Sequence, residues 1–312
     1  MKFSDDKSAA VCDTECFPNY WSIGFKSIAD GRRRVFELYE GHPLDRTAIA
    51  TIFRKWRIYT FNGIAYDIPM ILYAMSGATN EELKKANDEI IKYGVPWWVF
   101  MERLGLQKPD FLDHVDLMNV SPGSPTNNGR SKGGPSLKIY GGRLHSRKMQ
   151  EMPVHFEERL NDLTRDVVRS YHENDLDTTI DMVVELQDQV RLRALMSDEY
   201  GTDVRSKSDA QVAEAVVKAE LQRALGRKIY KPDIEVGSFK YKMPAWAQYE
   251  SPGMQHAAQI IRDAVFEVEH NGIVSAPDEV RELMVHINGT TYNMGIGGLH
   301  SREKSVSHFT DD

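Results

Sequence analysis

Residues 9–17 read AAVCDTECF, and the interpretation of the whole chain begins from this stretch. Its run of apolar residues predicts a β-strand. Asp13 and Glu15 are two positions apart, so on a strand both carboxylates point to the same face. Two such charges repel each other unless something positive lies against them, and hard oxygen ligands suit Mg²⁺ or Mn²⁺. The alternative is an exposed acidic pair on an edge strand, because the Asp-x-Glu pattern is common.

The elements predicted around this stretch follow a definite order. An Asp30-Gly31 turn predicts a hairpin between the second and third strands. Strands beyond the first are predicted at residues 19–29, 32–39, 57–61 and 111–118. Helices are predicted at residues 44–56, 66–75, 79–93, 97–106, 156–174 and 176–196. A meander followed by alternating helices and strands predicts an α/β fold with a central mixed sheet flanked by helices.

A second acidic motif, FNGIAYD, occupies residues 61–67. Asn62 and Gly63 predict a turn between a strand and a helix, and Asp67 falls at the start of that helix. Ligand sites in such sheets lie beyond the strand ends, which makes Asp67 a possible ligand. The alternative is that Asp67 only stabilises the helix N-terminus through the helix dipole.

The third motif, YHEND, occupies residues 171–175 in a predicted helix. Tyr171 and Asp175 are four residues apart, so they share one face of that helix. The carboxylate can bind a metal ion while the phenol, one turn away, orients a water. The alternative is an ordinary amphipathic helix with a tyrosine at the edge of the core.

Taken together, the three motifs predict a two-metal phosphodiesterase site. Two divalent ions about 4 Å apart can activate a water and stabilise the leaving oxygen in an in-line displacement at phosphorus. The positive ions also offset the charge of the phosphodiester, which the carboxylates alone would repel. Tyr171 is predicted to orient the water. The predicted metal ligands are Asp13, Glu15, Asp67 and Asp175.

The composition of the 312 residues is that of a globular protein, with 41% hydrophobic and 27% charged residues. A net charge of -7 argues against a non-specific, histone-like DNA-binding protein. No apolar run is long enough to cross a membrane, and no signal peptide is recognisable. The two cysteines, Cys12 and Cys16, are too far apart on a strand to pair, which predicts reduced thiols and a cytoplasmic location.

Residues 117–150 contain no aspartate or glutamate. This stretch is either a solvated loop or the phosphate-tracking edge of a groove. Its six basic residues are Arg130, Lys132, Lys138, Arg143, Arg147 and Lys148.

The order of the three motifs resembles the Exo motifs of DEDDy-type 3′→5′ exonucleases, here as Asp-x-Glu, Asn-x4-Asp and Tyr-x3-Asp. Ser170 stands where the histidine class would have its base, which favours the tyrosine class. The resemblance implies a ribonuclease H-like (DnaQ-like) fold, followed here by a smaller α+β segment. It also implies that Thr14, Asn62 and Tyr66 contact the strand being edited.

More specifically, the chain resembles the N-terminal proofreading region of phage replicative DNA polymerases of a family B type. Ser136 and Leu137 resemble the Ser/Thr-Leu-x2-hydrophobic motif that contacts the single-stranded 3′ end. Lys138 and Arg143, from the acid-free stretch, are expected to contact the nucleic acid as well. The expected partners are single-stranded DNA 3′ ends, or primer-template DNA, and a polymerase domain absent from this chain.

The resemblance also implies a division of the chain. Residues 1–197 would form the exonuclease domain, and residues 198–312 would form a connecting segment at the start of the polymerase region. No palm motif is present, so the chain is not expected to polymerise, and it is expected to be cut from a longer protein. If it is encoded by a phage, its location is the host cytoplasm. Two alternatives stay open: a non-catalytic DNA-binding or interaction module of a replicative polymerase, and a stand-alone RNA exonuclease of the same fold.

Overall fold

The structure is a computed structural model. It describes residues 2–122, 135–148, 150–230, 236–269, 274–287, 289–295 and 298–301. Two compact units divide the chain, Met1–Ile229 and Tyr230–Asp312. The predicted functional division after residue 197 is a different boundary and stays a prediction.

A five-stranded mixed sheet forms the centre of the first unit. Its strands are β1 (Ala9–Phe17), β2 (Tyr20–Ser27), β3 (Arg33–Leu38), β4 (Arg57–Thr60) and β5 (His114–Asp116). The spatial order is β3-β2-β1-β4-β5. β1 is antiparallel to β2 and parallel to β4, and β4 is parallel to β5. The strand predicted from residues 9–17 is therefore confirmed, and it lies at the centre of the sheet rather than at an edge.

The hairpin between β2 and β3 is also confirmed. Gly31 has a φ of 68°, the left-handed conformation that a tight turn needs and that glycine adopts without steric cost. The two strands then pair from Trp21 opposite Leu38 to Lys26 opposite Arg33.

Eight helices of the first unit lie in its described residues. They are α1 (Arg46–Lys55), α2 (Asp67–Ser76), α3 (Asn80–Ile91), α4 (Trp97–Arg103), α5 (Leu137–Arg143), α6 (Asp162–Glu185), α7 (Gln187–Tyr200) and α8 (Asp209–Leu225). The predicted break between two helices near residue 175 was wrong. Asn161 caps α6 with a reciprocal hydrogen bond to Thr164, and the helix ends only at Leu186.

Hydrophobic residues cover both faces of the sheet. One face packs Cys12, Trp21 and Ile23 against Phe53 of α1 and Met70 of α2. The other face packs Val11 and Val115 against Leu176 of α6. Cys12 and Cys16 are free, buried thiols, as the sequence predicts.

The described residues of the second unit form two small antiparallel sheets and two helices. Its elements are β6 (Gly237–Lys240), α9 (Pro252–Asp263), β7 (Val265–Val268), β8 (Val274–Ser275), α10 (Asp278–Arg281), β9 (Met284–Ile287), β10 (Thr290–Gly295) and β11 (Gly298–Ser301). The strand orders are β6-β7-β8 and β11-β10-β9. The smaller α+β segment is thus observed, although α9, which starts with Pro252 in its first turn, was not predicted.

Among the helices that the structure describes, none is both long and apolar enough to cross a bilayer.

Gly24 sets how closely α6 approaches the sheet. An added Cβ there would lie 2.9 Å from atoms of both His172 and Leu176, whose side chains are buried. We expect Gly24→Ala to lower the free energy of unfolding by about 1–3 kcal/mol, because a well-packed interface must open to fit one methyl group. Urea denaturation followed by tryptophan fluorescence measures this loss.

The control for this prediction is Gly237→Ala in β6. No described atom lies within 4 Å of a Cβ added at Gly237. Its free energy of unfolding should change by less than about 0.5 kcal/mol. Equal losses in the two variants would contradict the role of close packing at Gly24.

Candidate functional site

The central strand β1 presents polar side chains to both covered faces of the sheet. Because side chains alternate along a strand, Asp13 and Glu15 share the face of Val11, which packs against α6. Thr14 points to the opposite face, where its hydroxyl donates a hydrogen bond of 2.6 Å to Asp67 at the start of α2. The two motifs Asp-x-Glu and Asn-x4-Asp therefore meet at β1 from different sides.

Helix α6 brings a third carboxylate to Asp13 and Glu15. One carboxylate oxygen from each of Asp13, Glu15 and Asp175 lies within 4.8 Å of the other two. Glu15 is buried, whereas Asp13 and Asp175 are half-buried. We call these three residues the carboxylate cluster. Its members come from the first and third sequence motifs, which the fold brings together.

The carboxylate cluster is electrostatically unfavourable without a positive partner. Burial raises the pKa of Asp13 well above its usual value, and the charges of Asp67, Glu15 and Asp175 raise it further. Burial and the charges of Asp175 and Asp67 raise the pKa of Glu15 well above its usual value in the same way, while the ammonium of Lys138 opposes this increase. Mutual repulsion of this kind is what a bound divalent cation removes.

Asp67 lies outside the carboxylate cluster but close enough to influence it. Its side chain is 2% exposed, and burial raises its pKa to about 7, against the opposing hydrogen bond from Thr14. Three of the four predicted ligands therefore lie together, namely Asp13, Glu15 and Asp175. The fourth, Asp67, accepts a hydrogen bond from Thr14 instead.

Tyr171 lies one turn before Asp175 on α6, as the motif spacing predicts. It is buried at 5% exposure. Burial and the charge of Asp175 raise the pKa of the phenol, so the hydroxyl stays protonated at neutral pH. Hydrogen bonding from Tyr171 lowers the pKa of Asp175, although burial of that carboxylate has the larger, opposite effect.

Lys138 reaches this part of the site from α5. Its ammonium lies 5.4 Å from the centre of the Tyr171 ring and 2.7 Å from Glu151. Its positive charge also lowers the pKa of Asp175, against the effect of burial. Lys138 is therefore a basic residue of the acid-free stretch whose charge acts on two members of the cluster.

The other residues predicted to contact nucleic acid from α5 have separate structural roles. Ser136 caps α5 by accepting a hydrogen bond from the amide of Ile139. Leu137 is half-buried and packs with the core of the sheet face that α6 covers. Arg143 is exposed, with its guanidinium 5.9 Å from the ring centre of Tyr140. Arg130 and Lys132 lie outside the described residues.

The turn that contains Asn62 is held by a carboxylate that the sequence analysis did not consider. Asp116, at the end of β5, accepts hydrogen bonds from the amides of Asn62 and Ile64 at 2.8 Å and of Met118 at 2.9 Å. Asn62 adopts a left-handed φ of 66°. A signal for Asp116 was present, because it is an acid at the end of a predicted buried strand, where sites in such sheets tend to lie.

Gly63 and Tyr66 complete this turn. A Cβ at Gly63 would lie 2.1 Å from the hydroxyl of Thr60, so only glycine fits there. Tyr66 donates a hydrogen bond of 2.6 Å from its hydroxyl to Asn87 of α3. The predicted contact of Tyr66 with a nucleic acid strand would therefore use its ring or compete with this bond.

His172 is a further residue that the sequence analysis left without a role. Its Nε2 lies 3.0 Å from the backbone oxygen of Asp13, and its Nδ1 lies 3.3 Å from the hydroxyl of Ser22. A carbonyl oxygen can only accept, so Nε2 carries the proton and donates it, while Nδ1 accepts from Ser22. Burial lowers the pKa of His172 to about 4, so the ring is neutral. The two hydrogen bonds of His172 fix the position of α6 relative to Asp13 on β1.

The donor set of the cluster fits a hard divalent cation. Carboxylate oxygens are the ligands preferred by Mg²⁺ and Mn²⁺. Cys12 and Cys16 belong to the opposite core and offer no soft ligand here. Asp13, Glu15 and Asp175 are the residues that would hold an ion directly.

No protein-family model matches the chain, and no curated protein matches it. A solved structure of the family B DNA polymerase from the hyperthermophilic archaeon Pyrobaculum calidifontis is similar at 16% sequence identity and a TM-score of 0.46. The similarity covers 76% of this chain and 33% of that polymerase, so the chain spans about a third of its length.

The raised pKa of Asp67 predicts a pH-dependent stability. Between about pH 4, the pKa of an unfolded aspartate, and about pH 7, folded Asp67 holds a proton that the unfolded chain has lost. In metal-free buffer the free energy of unfolding of the wild type should therefore fall, relative to Asp67→Asn, as the pH rises through this window. The expected total is on the order of a few kcal/mol, with no further change above the window.

Thermal unfolding in EDTA at several pH values from 4 to 8.5 measures this difference. The exposed Asp188 of α7 offers a control, because Asp188→Asn should follow the wild-type curve at every pH. Parallel curves for the wild type and Asp67→Asn would contradict the raised pKa.

Proposed function

We propose that the protein is a two-metal 3′→5′ exonuclease that hydrolyses phosphodiester bonds at single-stranded DNA 3′ ends. The observation that carries this proposal is the carboxylate cluster with Tyr171 beside it. Carboxylates that raise one another's pKa values are retained at a cost in stability, and binding of Mg²⁺ or Mn²⁺ turns that arrangement into a working site.

Bound ions would supply an activated water and would offset the charge of the phosphodiester. Asp13, Glu15 and Asp175 would hold the ions, and Asp67 is proposed to act as an additional ligand once its hydrogen bond to Thr14 gives way. Tyr171 would orient the attacking water through a hydroxyl that stays protonated. Lys138 would approach the phosphate from the α5 side, in exchange for its ion pair with Glu151.

The strand to be edited would lie across the ends of β1 and α2. Thr14 is hydrogen-bonded to Asp67 there, and the Asn62 turn leads into α2. Leu137 and Arg143 belong to α5, which Ser136 caps, and Lys138 of the same helix lies beside Tyr171. A meander of three strands followed by parallel strands supports the further proposal of a ribonuclease H-like fold. We also propose that residues 1–197 are the editing domain of a phage DNA polymerase acting in the host cytoplasm, with residues 198–312 leading towards a polymerase domain.

The proposed activity has a direct test. A 5′-labelled single-stranded DNA incubated with Mg²⁺ or Mn²⁺ should give a descending ladder of products on a gel, and EDTA should abolish it. Asp13→Ala/Glu15→Ala and Asp175→Ala should lose at least about 10³-fold in rate, because each removes a proposed metal ligand. Glu185→Ala, an exposed acid on the same helix as Asp175, should keep the wild-type rate.

Three outcomes would replace this proposal. An unchanged ladder in the Asp13→Ala/Glu15→Ala variant would assign the cleavage to another site or to a contaminant. Absence of divalent cation binding at millimolar concentration would favour a non-catalytic DNA-binding module. Faster cleavage of an RNA strand than of the same DNA sequence would favour an RNA exonuclease.

Tyr171→Phe tests the role of the phenol separately from metal binding. Loss of the hydroxyl should lower kcat on the order of 10²-fold, because the water is no longer aligned. The affinity for Mn²⁺, measured by calorimetry, should stay the same, since the carboxylates are intact. A parallel loss of metal affinity and rate would show that Tyr171 supports the carboxylates instead.

A further inference from the structure

The second unit carries an unusual run of exposed aromatic residues. Residues 236–249 contain two lysines and no aspartate or glutamate. The exposed aromatic side chains in this run are Phe239 (42%), Tyr241 (44%), Trp246 (83%) and Tyr249 (38%). Large aromatic side chains usually bury their surface, so four exposed within eleven residues call for a ligand. We call these four residues, with Lys240 and Lys242, the aromatic–lysine edge.

The geometry of β6 makes one of these rings a rigid platform. β6 is the edge strand of the order β6-β7-β8, so its outer side has no partner among the described strands. Phe239 pairs with Phe266 of β7, and the two rings stack with centres 5.5 Å apart and planes 20° apart. A ring held this way loses little conformational freedom when a planar group stacks on it.

The lysines of this edge are available to a negatively charged ligand. Lys240 and Lys242 alternate with Phe239 and Tyr241 and are exposed, and neither forms an ion pair with a described residue. Glu267 of β7, which pairs with Ser238 on the neighbouring strand, makes no ion pair with them either. Their charges are therefore not neutralised within the described part of this unit.

The exposed rings and the exposed lysines together distinguish between classes of ligand. An apolar protein surface placed here would remove two unpaired ammonium groups from water at a cost. A nucleic acid duplex hides the faces of its bases, so the rings would have nothing to stack on. A single strand offers both bases for the rings and phosphates for the lysines.

From this we propose that the aromatic–lysine edge binds single-stranded nucleic acid, as a site in addition to the carboxylate cluster. The bases would stack on Phe239, Tyr241 and Trp246, and the phosphates would follow Lys240 and Lys242. This binding needs no divalent cation, so it is separable from cleavage.

Fluorescence anisotropy of the full chain with a 5′-fluorescein-labelled dT15 tests the proposal in EDTA, where cleavage is suppressed. Phe239→Ala and Trp246→Ala should each weaken binding by about 5-fold or more, the loss of one stacked base. Tyr241→Phe should bind as the wild type does, because it keeps its ring, whereas Tyr241→Ala should not. Tyr93→Ala, which removes a 77% exposed ring of the first unit, should have no effect.

The lysines have their own readout in the salt dependence. Lys240→Gln/Lys242→Gln should lower the slope of log affinity against log salt by about 1.4, at about 0.7 for each phosphate contact to a single strand. Lys218→Gln on α8, an exposed lysine of the first unit, should leave the slope unchanged. Far-UV circular dichroism of each variant identifies losses that come from unfolding.

Several outcomes would overturn the proposal. One is unchanged affinity in the folded Phe239→Ala and Trp246→Ala variants, and another is tighter binding of duplex DNA than of dT15. A third is loss of self-association in these variants, seen by sedimentation, without loss of DNA binding, which would assign the edge to a protein contact.

Equal binding of U15 and dT15 would support the proposal, because stacking and phosphate contacts are shared by both strands. Binding that persists in Asp13→Ala/Glu15→Ala would support it even if no cleavage were found.

Discussion

Three carboxylates crowded onto one covered face of the sheet are the constraint on which the rest of the first unit depends. Asp13, Glu15 and Asp175 can lie within 4.8 Å of one another only because β1 and α6 are held at a fixed distance and register. Burial raises the pKa of all three, and neighbouring carboxylates raise those of Asp13 and Glu15 further, so ionising these groups in the folded chain costs free energy. The surrounding packing has to supply the stability that this repulsion removes.

Uncharged groups set the distance between β1 and α6. His172 donates to the backbone of Asp13 and accepts from Ser22, which spans two strands from one helix position. Gly24 leaves room for the ring of His172. A charged residue at this position would add to the field of the cluster, whereas a neutral imidazole fixes position without altering net charge. At the end of β5, Asp116 holds the Asn62 turn in place by accepting hydrogen bonds from three backbone amides.

Much of this arrangement was predictable from local patterns. The strand at residues 9–17, the Asp30-Gly31 hairpin and the shared face of Tyr171 and Asp175 follow from periods of two and of about four residues, which depend on backbone geometry alone. The ends of helices were harder to predict. The helices predicted at residues 156–174 and 176–196 are observed as Asp162–Glu185 and Gln187–Tyr200. Asn161 caps the start of the first helix, and that helix continues past residue 175, where the sequence pattern predicted its end. The roles of His172 and Asp116 depend on partners 159 and 54 residues away, which no local pattern contains.

The sequence by itself determined which side chains can act: the order of the acidic motifs, the face that Asp13 shares with Glu15, and the pairing of Tyr171 with Asp175 along one helix. The tertiary structure decided which of these acids come together. Asp175 joins Asp13 and Glu15, whereas Asp67 approaches β1 from the opposite face and is held by Thr14. The reason is physical: alternation along β1 is a local property, but the helix that covers each face of the sheet is set by the packing of residues far apart in the chain.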